Sequence, residues 1–500
     1  MREENIFRKM LQFENIVVQC HDHPDADTIG SAFGVYTFFK EKGKNVRMIY
    51  AGDSDYLKGN LRIMVEALHI PLEYVQDLPK CELIVCVDCQ YGEGNVTKFQ
   101  ADHVAVIDHH LDAGHEYDFE DIRSHYGSCC TLVYRSLVEC GYPVNQNKRL
   151  ATALYYGLYM DTNGFGELQH PYDFDMRDEL NINKVIFRKM KNANFTMKEL
   201  ESVAMALIRY QYNPEQRVAY IHANPGDCNM LGIVSDLLIQ VDNVDTCIVY
   251  TECDKGYRLS VRSCGQHVTA EDVALFLTEK VGNGGGHTGK AGGFIEAKRL
   301  KSSEDFHAIE DYIYTRTKEF FESYEFLDIN EMDIPVEGLM KCRKLSTPHL
   351  VVNTSEVVKE GTEFYVRHIE GKTNFVADAD TYILISKRGY VEPITKEQFL
   401  KTYEYSNIEF HLHAEYIPKA VNTRTNESYD IIANGHTCIP NGTARYYVKK
   451  LMKNLNLKTI WDRENFQRGK VGDYLLINVD SPKECFIVEK KRFHMNYEMV

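Results

Sequence analysis

Residues 15–31 read NIVVQCHDHPDADTIGS. The first six form an apolar run of the kind found in a strand buried on both faces of a parallel sheet. Two histidines and three aspartates then fall between His21 and Asp27. The segment from Thr28 to Lys44 has the length of a helix and stops at Gly43. A second apolar run, Asn45 to Tyr50, follows at once. Strand, helix, strand at this spacing predicts an α/β fold with a doubly wound parallel sheet. ELIVCVD (Glu82 to Asp88) and HVAVID (His103 to Asp108) extend it. Ligands of such sheets bind beyond the carboxyl ends of the strands.

The polar residues at those ends share one chemistry. His21, Asp25 and Asp27 close the first strand, Asp88 closes the third run, and Asp108, His109 and His110 close the fourth. Asp161 follows the helical stretch RLATALYYGLYM. Taken singly, an Asp there is a cap or turn residue, and Asp27 is expected to cap the helix opening at Thr28. Taken together, so many carboxylates at one edge require a neutralising cation. Carboxylates with one or two imidazoles suit Mn²⁺ or Mg²⁺ over structural zinc. They suit two ions about 3.5–4 Å apart, which activate water for in-line displacement at phosphorus. Asp22 and His23 read as local structure, and Cys129 and Cys130, in YGSCCTLVY, as small packing residues.

Five hundred residues imply two to four domains, and 44% hydrophobic with 26% charged residues is an ordinary globular balance. A net charge of -16 argues against non-specific binding along duplex nucleic acid. No signal peptide is expected in the charged stretch Met1 to Asn15, and no apolar run approaches the roughly 20 residues of a membrane span. Fourteen cysteines are then read as free thiols of a cytoplasmic protein. The lone C-x-x-C of Cys86 and Cys89 carries no metal-site spacing.

Residues 1–190 are expected to form the first domain and 191–214 a helical linker. Residues 215–328 would form a smaller α/β domain, with strands near Val218–Ala223, Thr246–Cys253 and Gly256–Cys264. Two α+β modules, 329–420 and 421–500, would complete the chain. Within them DTYILISKRGYVEPITKEQFLKTYE, from Asp380, echoes GDYLLINVDSPKECFIVEKKRFHMNYE, from Gly472, which suggests a duplicated unit.

HDHPDADTIGS, VDCQ, VIDHH and LYMDTNGF resemble, in order and spacing, the four motifs of the DHH phosphoesterase superfamily. YRLSVRSCG and GNGGGHTGKAGGF resemble its associated C-terminal domain, and the layout resembles the nanoRNase and pAp-phosphatase branch. The resemblance implies that His21 and Asp25 hold one ion, that Asp27, His109 and Asp161 hold a second, and that Asp88 bridges them. Mn²⁺ is the first choice, with Mg²⁺ and Fe²⁺ as alternatives. It also implies that Asp108 orients the histidines and that His110 faces the substrate. Arg262 and His287 would reach a phosphate, and Gly284, Gly285 and Gly286 would admit the nucleotide backbone. On the substrate side GGGHTGKAGGF departs from the family pattern: either Lys290 stands where the family carries Ala, or one extra residue precedes the Lys-Ala step. KVGDYLLINVD is similar to a small module known by its PGDYG motif, with Val471 and Leu475 replacing the outer residues.

The expected activity is hydrolysis of short nucleotides: oligoribonucleotides, pAp, or products of cyclic dinucleotides. Neither duplex nucleic acid nor a membrane is an expected partner, and a homodimer is the candidate assembly. The alternatives are a nucleotide-binding sensor and a single-strand exonuclease. The latter needs a basic groove, and KKLMKNLNLK (Lys449 to Lys458) reads as a solvated helix face.

Overall fold

A computed structural model describes residues 4–500 except 53–54, 56, 169, 195, 225–229, 266–267, 303–307 and 462–465. Helix α1 (Ile6–Met10) leads into β1 (Asn15–Gln19), α2 (Ala26–Glu41), β2 (Asn45–Tyr50), α3 (Gly59–Ala67) and β3 (Leu72–Tyr74). Strands β4 (Cys81–Val87), β5 (Ala101–Asp108) and β6 (Phe119–Ile122) follow. All six strands pair in parallel in the order β3-β2-β1-β4-β5-β6. The strand order reverses between β1 and β4, so the acidic ends of both flank the switch point of a doubly wound sheet.

Helices α4 (Cys129–Glu139), α5 (Lys148–Asp161), α6 (Pro171–Glu179) and α7 (Lys184–Lys191) complete this domain. Glycines let α2, α4 and α5 pack closely. A Cβ on Gly30 would lie 2.7 Å from Cys130 Sγ, and one on Gly157 would lie 2.4 Å from the same atom. Cys129 and Cys130 are fully buried, the packing role their small apolar character suggests.

The second domain comprises α8 (Met197–Leu207), β7 (Gln211–Asn213), β8 (Val218–Ala223), α9 (Met230–Leu238), β9 (Thr246–Cys253) and β10 (Gly256–Ser263). It continues with α10 (Ala270–Thr278), β11 (Gly282–Gly286), β12 (Lys290–Glu296), α11 (Ala297–Ser302) and α12 (Ile309–Glu322). Its sheet runs β11-β12-β10-β9-β8-β7, with β8 and β9 parallel and the other neighbours antiparallel. Residues 191–214 are not a free helical connector. Val203 and Ala206 of α8 are buried in one cluster with Ala219 and Ile221, and β7 is already an edge strand of the sheet. The apolar stripe of α8 needs a cover, and the second sheet supplies it.

The chain enters its C-terminal region before residue 329, because β13 (Tyr324–Asp328) pairs in parallel with Asn454–Lys458. The echo seen in the sequence is a repeated β-β-α-β unit. Thr381–Ser386, Val391–Thr395, the helix Lys396–Thr402 and Tyr403–Tyr405 recur as Tyr474–Asn478, Cys485–Val488, the helix Lys490–Asn496 and Tyr497–Met499. Two strands lead each unit, Met340–Lys344 with His349–Asn353 and His436–Pro440 with Arg445–Lys450, and the first of each pair is exchanged. Met340–Lys344 lies between Arg445–Lys450 and Tyr497–Met499, while His436–Pro440 lies between His349–Asn353 and Tyr403–Tyr405.

The registers coincide: Cys342 opposes Tyr446 and Met499 just as Cys438 opposes His349 and Tyr405. A division at 420/421 therefore cuts both sheets, since each unit alone would lack a central strand and expose two unpaired edges. Lys449–Lys458 is not a helix face but falls on two strands, with Leu455, Asn456 and Leu457 all buried.

Candidate metal centre

The ends of β1, β4 and β5 and the end of α5 converge. Asp25, not Asp27, caps α2: its Oδ1 accepts from the backbone N–H groups of Asp27 (2.9 Å) and Thr28 (3.0 Å). Asp27 is 1% exposed, and its carboxylate accepts from Cys129 N (2.7 Å) and Cys130 N (2.8 Å). Those amides open α4, whose dipole favours an anion there. Asp88, immediately after β4, has φ 59°, a left-handed conformation that Asp adopts more readily than most residues. Such strain persists only where the surroundings hold it, often at functional sites.

His109 donates from Nδ1 to the Tyr126 carbonyl (3.1 Å), which leaves Nε2 facing Asp161 Oδ2 (3.2 Å), Asp88 Oδ1 (3.3 Å) and Asp27 Oδ2 (3.7 Å). His21 Nε2 lies 3.7 Å from Asp88 Oδ2 and 3.8 Å from Asp25 Oδ1. Two groups able to hold a cation result, His21/Asp25/Asp88 and Asp27/His109/Asp161, with the two oxygens of Asp88 turned one to each.

The donors fit divalent cations. Asp88 Oδ1 and Asp161 Oδ2 are buried and accept no hydrogen bond, and such groups want a partner. Burial and the neighbouring Asp88 carboxylate push Asp27 well above the usual carboxylate range. Burial disfavours the charged form of His21, yet hydrogen bonds to Asp25 and Asp88 raise it to about 10. A cation held by these residues would take the place of such protons, because metal ligands bind deprotonated.

Around this set, His110 Nδ1 lies 2.8 Å from Asp108 Oδ1, which leaves its Nε2 available to the cleft. Burial would raise Asp108, but the hydrogen bond from His110 holds it down at about 2. Gln90 was not singled out from the sequence, although VDCQ contains it. Its Nε2 donates to Asp108 Oδ2 (2.9 Å) and its Oε1 accepts from Ala113 N (2.8 Å). Asp22 is structural, accepting from Thr97 N and Thr97 Oγ1, both at 2.9 Å.

The β11–β12 hairpin closes the other side. The His287 ring stacks on His109, with centroids 5.2 Å apart. Burial and the neighbouring His109 push His287 down to about 4, so it is neutral. Lys290 Nζ lies 3.8 Å from Asp161 Oδ1, on the metal side. Arg262 opposes Lys290 across the β10–β12 ladder and is held by Asp236 Oδ1 (2.5 Å) and Ser260 Oγ (3.0 Å).

The glycines divide. A Cβ on Gly284 would meet Thr278 Oγ1 at 2.5 Å, and one on Gly286 would meet Ala291 Cα at 2.4 Å, so both serve packing within the domain. Only Gly285 of the three faces open space. Glu167, also missed in the sequence, approaches Gly289, and burial raises its carboxyl against the pull of Lys290 and Arg262. Two further groups, His109/His110/His287 and Asp88/Asp108/His110, belong to the same centre, whereas His125/His170/Glu415 lies outside it.

The family model described as "DHH family, N-terminal domain" matches residues 15–158. An uncharacterized protein of Methanocaldococcus jannaschii is 24% identical over 301 residues, spanning 59% of this chain and 60% of that protein. The bifunctional oligoribonuclease and PAP phosphatase NrnA of Mycoplasma genitalium is 22% identical over 322 residues, 61% of this chain and 95% of that one. Among solved structures, an exopolyphosphatase-related protein from Bacteroides fragilis is 21% identical over 63% of this chain and 94% of that chain, with a TM-score of 0.46. Residues 15–158 of this chain thus match the DHH family's N-terminal domain, the part that carries His21, Asp25, Asp27, Asp88 and His109.

Proposed function

We propose that this protein is a two-metal phosphoesterase that hydrolyses short nucleotides, with Mn²⁺ as its metal. The observation that carries the reading is the pair of ligand groups joined through Asp88 at the switch point of the sheet. His21 and Asp25 would hold one ion, Asp27, His109 and Asp161 the other, and Asp88 both. Two such ions, when bound, supply Lewis-acid activation of water and of the phosphoryl group.

The chain's own residues do the rest. Tyr126 and the amides of Cys129 and Cys130 orient His109 and Asp27. Asp108 holds His110 by Nδ1, and carboxylate neighbours raise the pKa of His110 against burial, so it presents a proton from Nε2 to a leaving oxygen. Lys290 and Arg262 supply cations where a phosphate would sit, a role that a guanidinium fork serves well. The space beside Gly285 admits the nucleoside. A net charge of -16 favours small anions drawn to this local site over long strands. The oligoribonuclease and PAP phosphatase activity of the Mycoplasma genitalium relative is consistent with that substrate class.

The test is a panel of pApA, pAp and linear and cyclic dinucleotides in Mn²⁺, with Asp88→Asn as the comparison. Loss of the shared ligand should lower kcat/KM about 10³-fold or more, as expected when a several-kcal/mol metal contribution is lost. A wild type inactive on every member, or an Asp88→Asn variant equal to it, refutes the reading.

A further inference from the structure

The segment Arg123–Cys130 holds two members of the second ligand group, His109 and Asp27. Its Tyr126 carbonyl holds His109 Nδ1 (3.1 Å), and its Cys129 and Cys130 amides hold both oxygens of Asp27 (2.7 and 2.8 Å). Arg123 N donates to the Asp108 carbonyl (2.9 Å). Nothing comparable supports His21 among the described residues.

Among the described residues, the side chains of that segment are in turn tied to the C-terminal region through Glu415. Glu415 Oε1 accepts from Tyr126 OH (2.8 Å), Arg123 Nη1 (2.8 Å) and Arg135 Nη1 (3.3 Å), and its Oε2 pairs with His125 Nε2 (3.0 Å). Tyr126 is fully buried, and its hydroxyl also accepts from Arg135 Nη1 (2.8 Å). Asp121 pairs with the same two arginines from within the domain, and Glu415 completes this hydrogen-bonded group from 289 residues away.

A second contact keeps the same surfaces together. Arg367 and Lys419 of the C-terminal region bind Asp175 on α6, and Tyr416 OH reaches Asp175 Oδ1 (3.4 Å). Asp173, on the same helix, accepts from Gly127 N (2.9 Å). Both contacts therefore converge on the Tyr126–Ser128 turn.

We propose that the C-terminal region is a working part of the metal centre: through Glu415 it fixes Tyr126 and its segment, and so sets the affinity of the ion held by Asp27, His109 and Asp161. Glu415 and Tyr126 are positioning residues, since neither touches an ion or the substrate. The inference rests on the two-ion reading. It also gives the duplicated C-terminal region a role: whatever binds there and shifts the Glu415 loop changes metal loading some distance away.

The experiment is Mn²⁺ titration of the full-length protein by calorimetry, with electron paramagnetic resonance of the bound ions, for wild type, Glu415→Ala, Glu415→Gln and Tyr126→Phe. The exposed neighbour Glu409→Gln serves as control. Outer partners of metal ligands typically contribute 10–100-fold in affinity. Glu415→Ala should therefore weaken one of two Mn²⁺ sites about 10–100-fold and leave the other within about twofold. Tyr126→Phe should weaken the same site, and Glu409→Gln neither. If Glu415→Ala unfolds, Glu415→Gln and Tyr126→Phe carry the measurement. A wild type that binds two ions with variants matching it at both sites overturns the inference, as does equal weakening of both sites. A wild type that binds no Mn²⁺ overturns the two-ion reading itself.

Discussion

Gly157 lies in the interior of α5, where an exposed alanine would gain about 1 kcal/mol in helix propensity. The packing reverses that expectation. A Cβ at this position would sit 2.4 Å from Cys130 Sγ, 3.1 Å from the Ala26 carbonyl oxygen and 3.1 Å from Asp27 Cα. Cys130 is fully buried, so its sulfur has nowhere to go, and two of the three contacts are backbone that cannot rotate away. Overpacking of a closed core costs about 1–3 kcal/mol, and the upper half of that range applies here. Less the propensity gain, Gly157→Ala should destabilise by about 1–2 kcal/mol, or roughly 2–8 °C in Tm for a domain of this size.

Cys130→Ala removes the worst contact, so the double variant should be more stable than the sum of the singles, with a coupling of about 1 kcal/mol. Calorimetry is the suitable assay, because the single tryptophan, Trp461, is exposed and is not part of this core. A Gly157→Ala protein that melts at or above the wild-type temperature would refute the argument. So would strict additivity with Cys130→Ala.

Two other predictions concern the C-terminal contact. Arg367 binds both Asp175 and Asp178, and Asp175 is buried, so Arg367→Met leaves a buried carboxylate with Lys419 at 3.0 Å as its remaining cation and the Tyr416 hydroxyl at 3.4 Å. Breaking such a pair costs about 3–5 kcal/mol, with the lower end expected because Lys419 remains; a change below about 0.5 kcal/mol in urea denaturation contradicts it. His170 caps α6, and burial pushes its pKa down to about 3. The unfolded chain therefore binds the extra proton between about pH 3 and 6.5, and stability falls as pH drops through that window. His170→Asn keeps a good cap, so its deficit against wild type at pH 7.5 should shrink by about 2 kcal/mol at pH 5; a pH-independent difference rules the argument out.

Much of this protein was legible along the chain. The doubly wound sheet announced itself because continuous apolar runs and helix-length segments are local patterns, and β1, β2, β4 and β5 fall within a residue or two of those runs. The metal-centre candidates were legible for the same reason: strand ends in such a sheet share one edge, so His21, Asp25, Asp27, Asp88, His109 and Asp161 could be gathered before any contact was known. Local reading misplaced the cap, however, because whether Asp25 or Asp27 binds the first amides depends on where α4 points its own N-terminus.

Tertiary structure alone decided the rest. The exchange of leading strands between the two repeats cannot be read from either repeat, since both pairings present the same alternating pattern to the chain. The same holds for the division of labour among Gly284, Gly285 and Gly286, which depends on what α10 and β12 place against each. Glu415 stood in the sequence as one acidic residue among 73 Asp and Glu. Its place beside Tyr126 follows from burial and hydrogen bonding between segments 289 residues apart, and no periodicity carries that information.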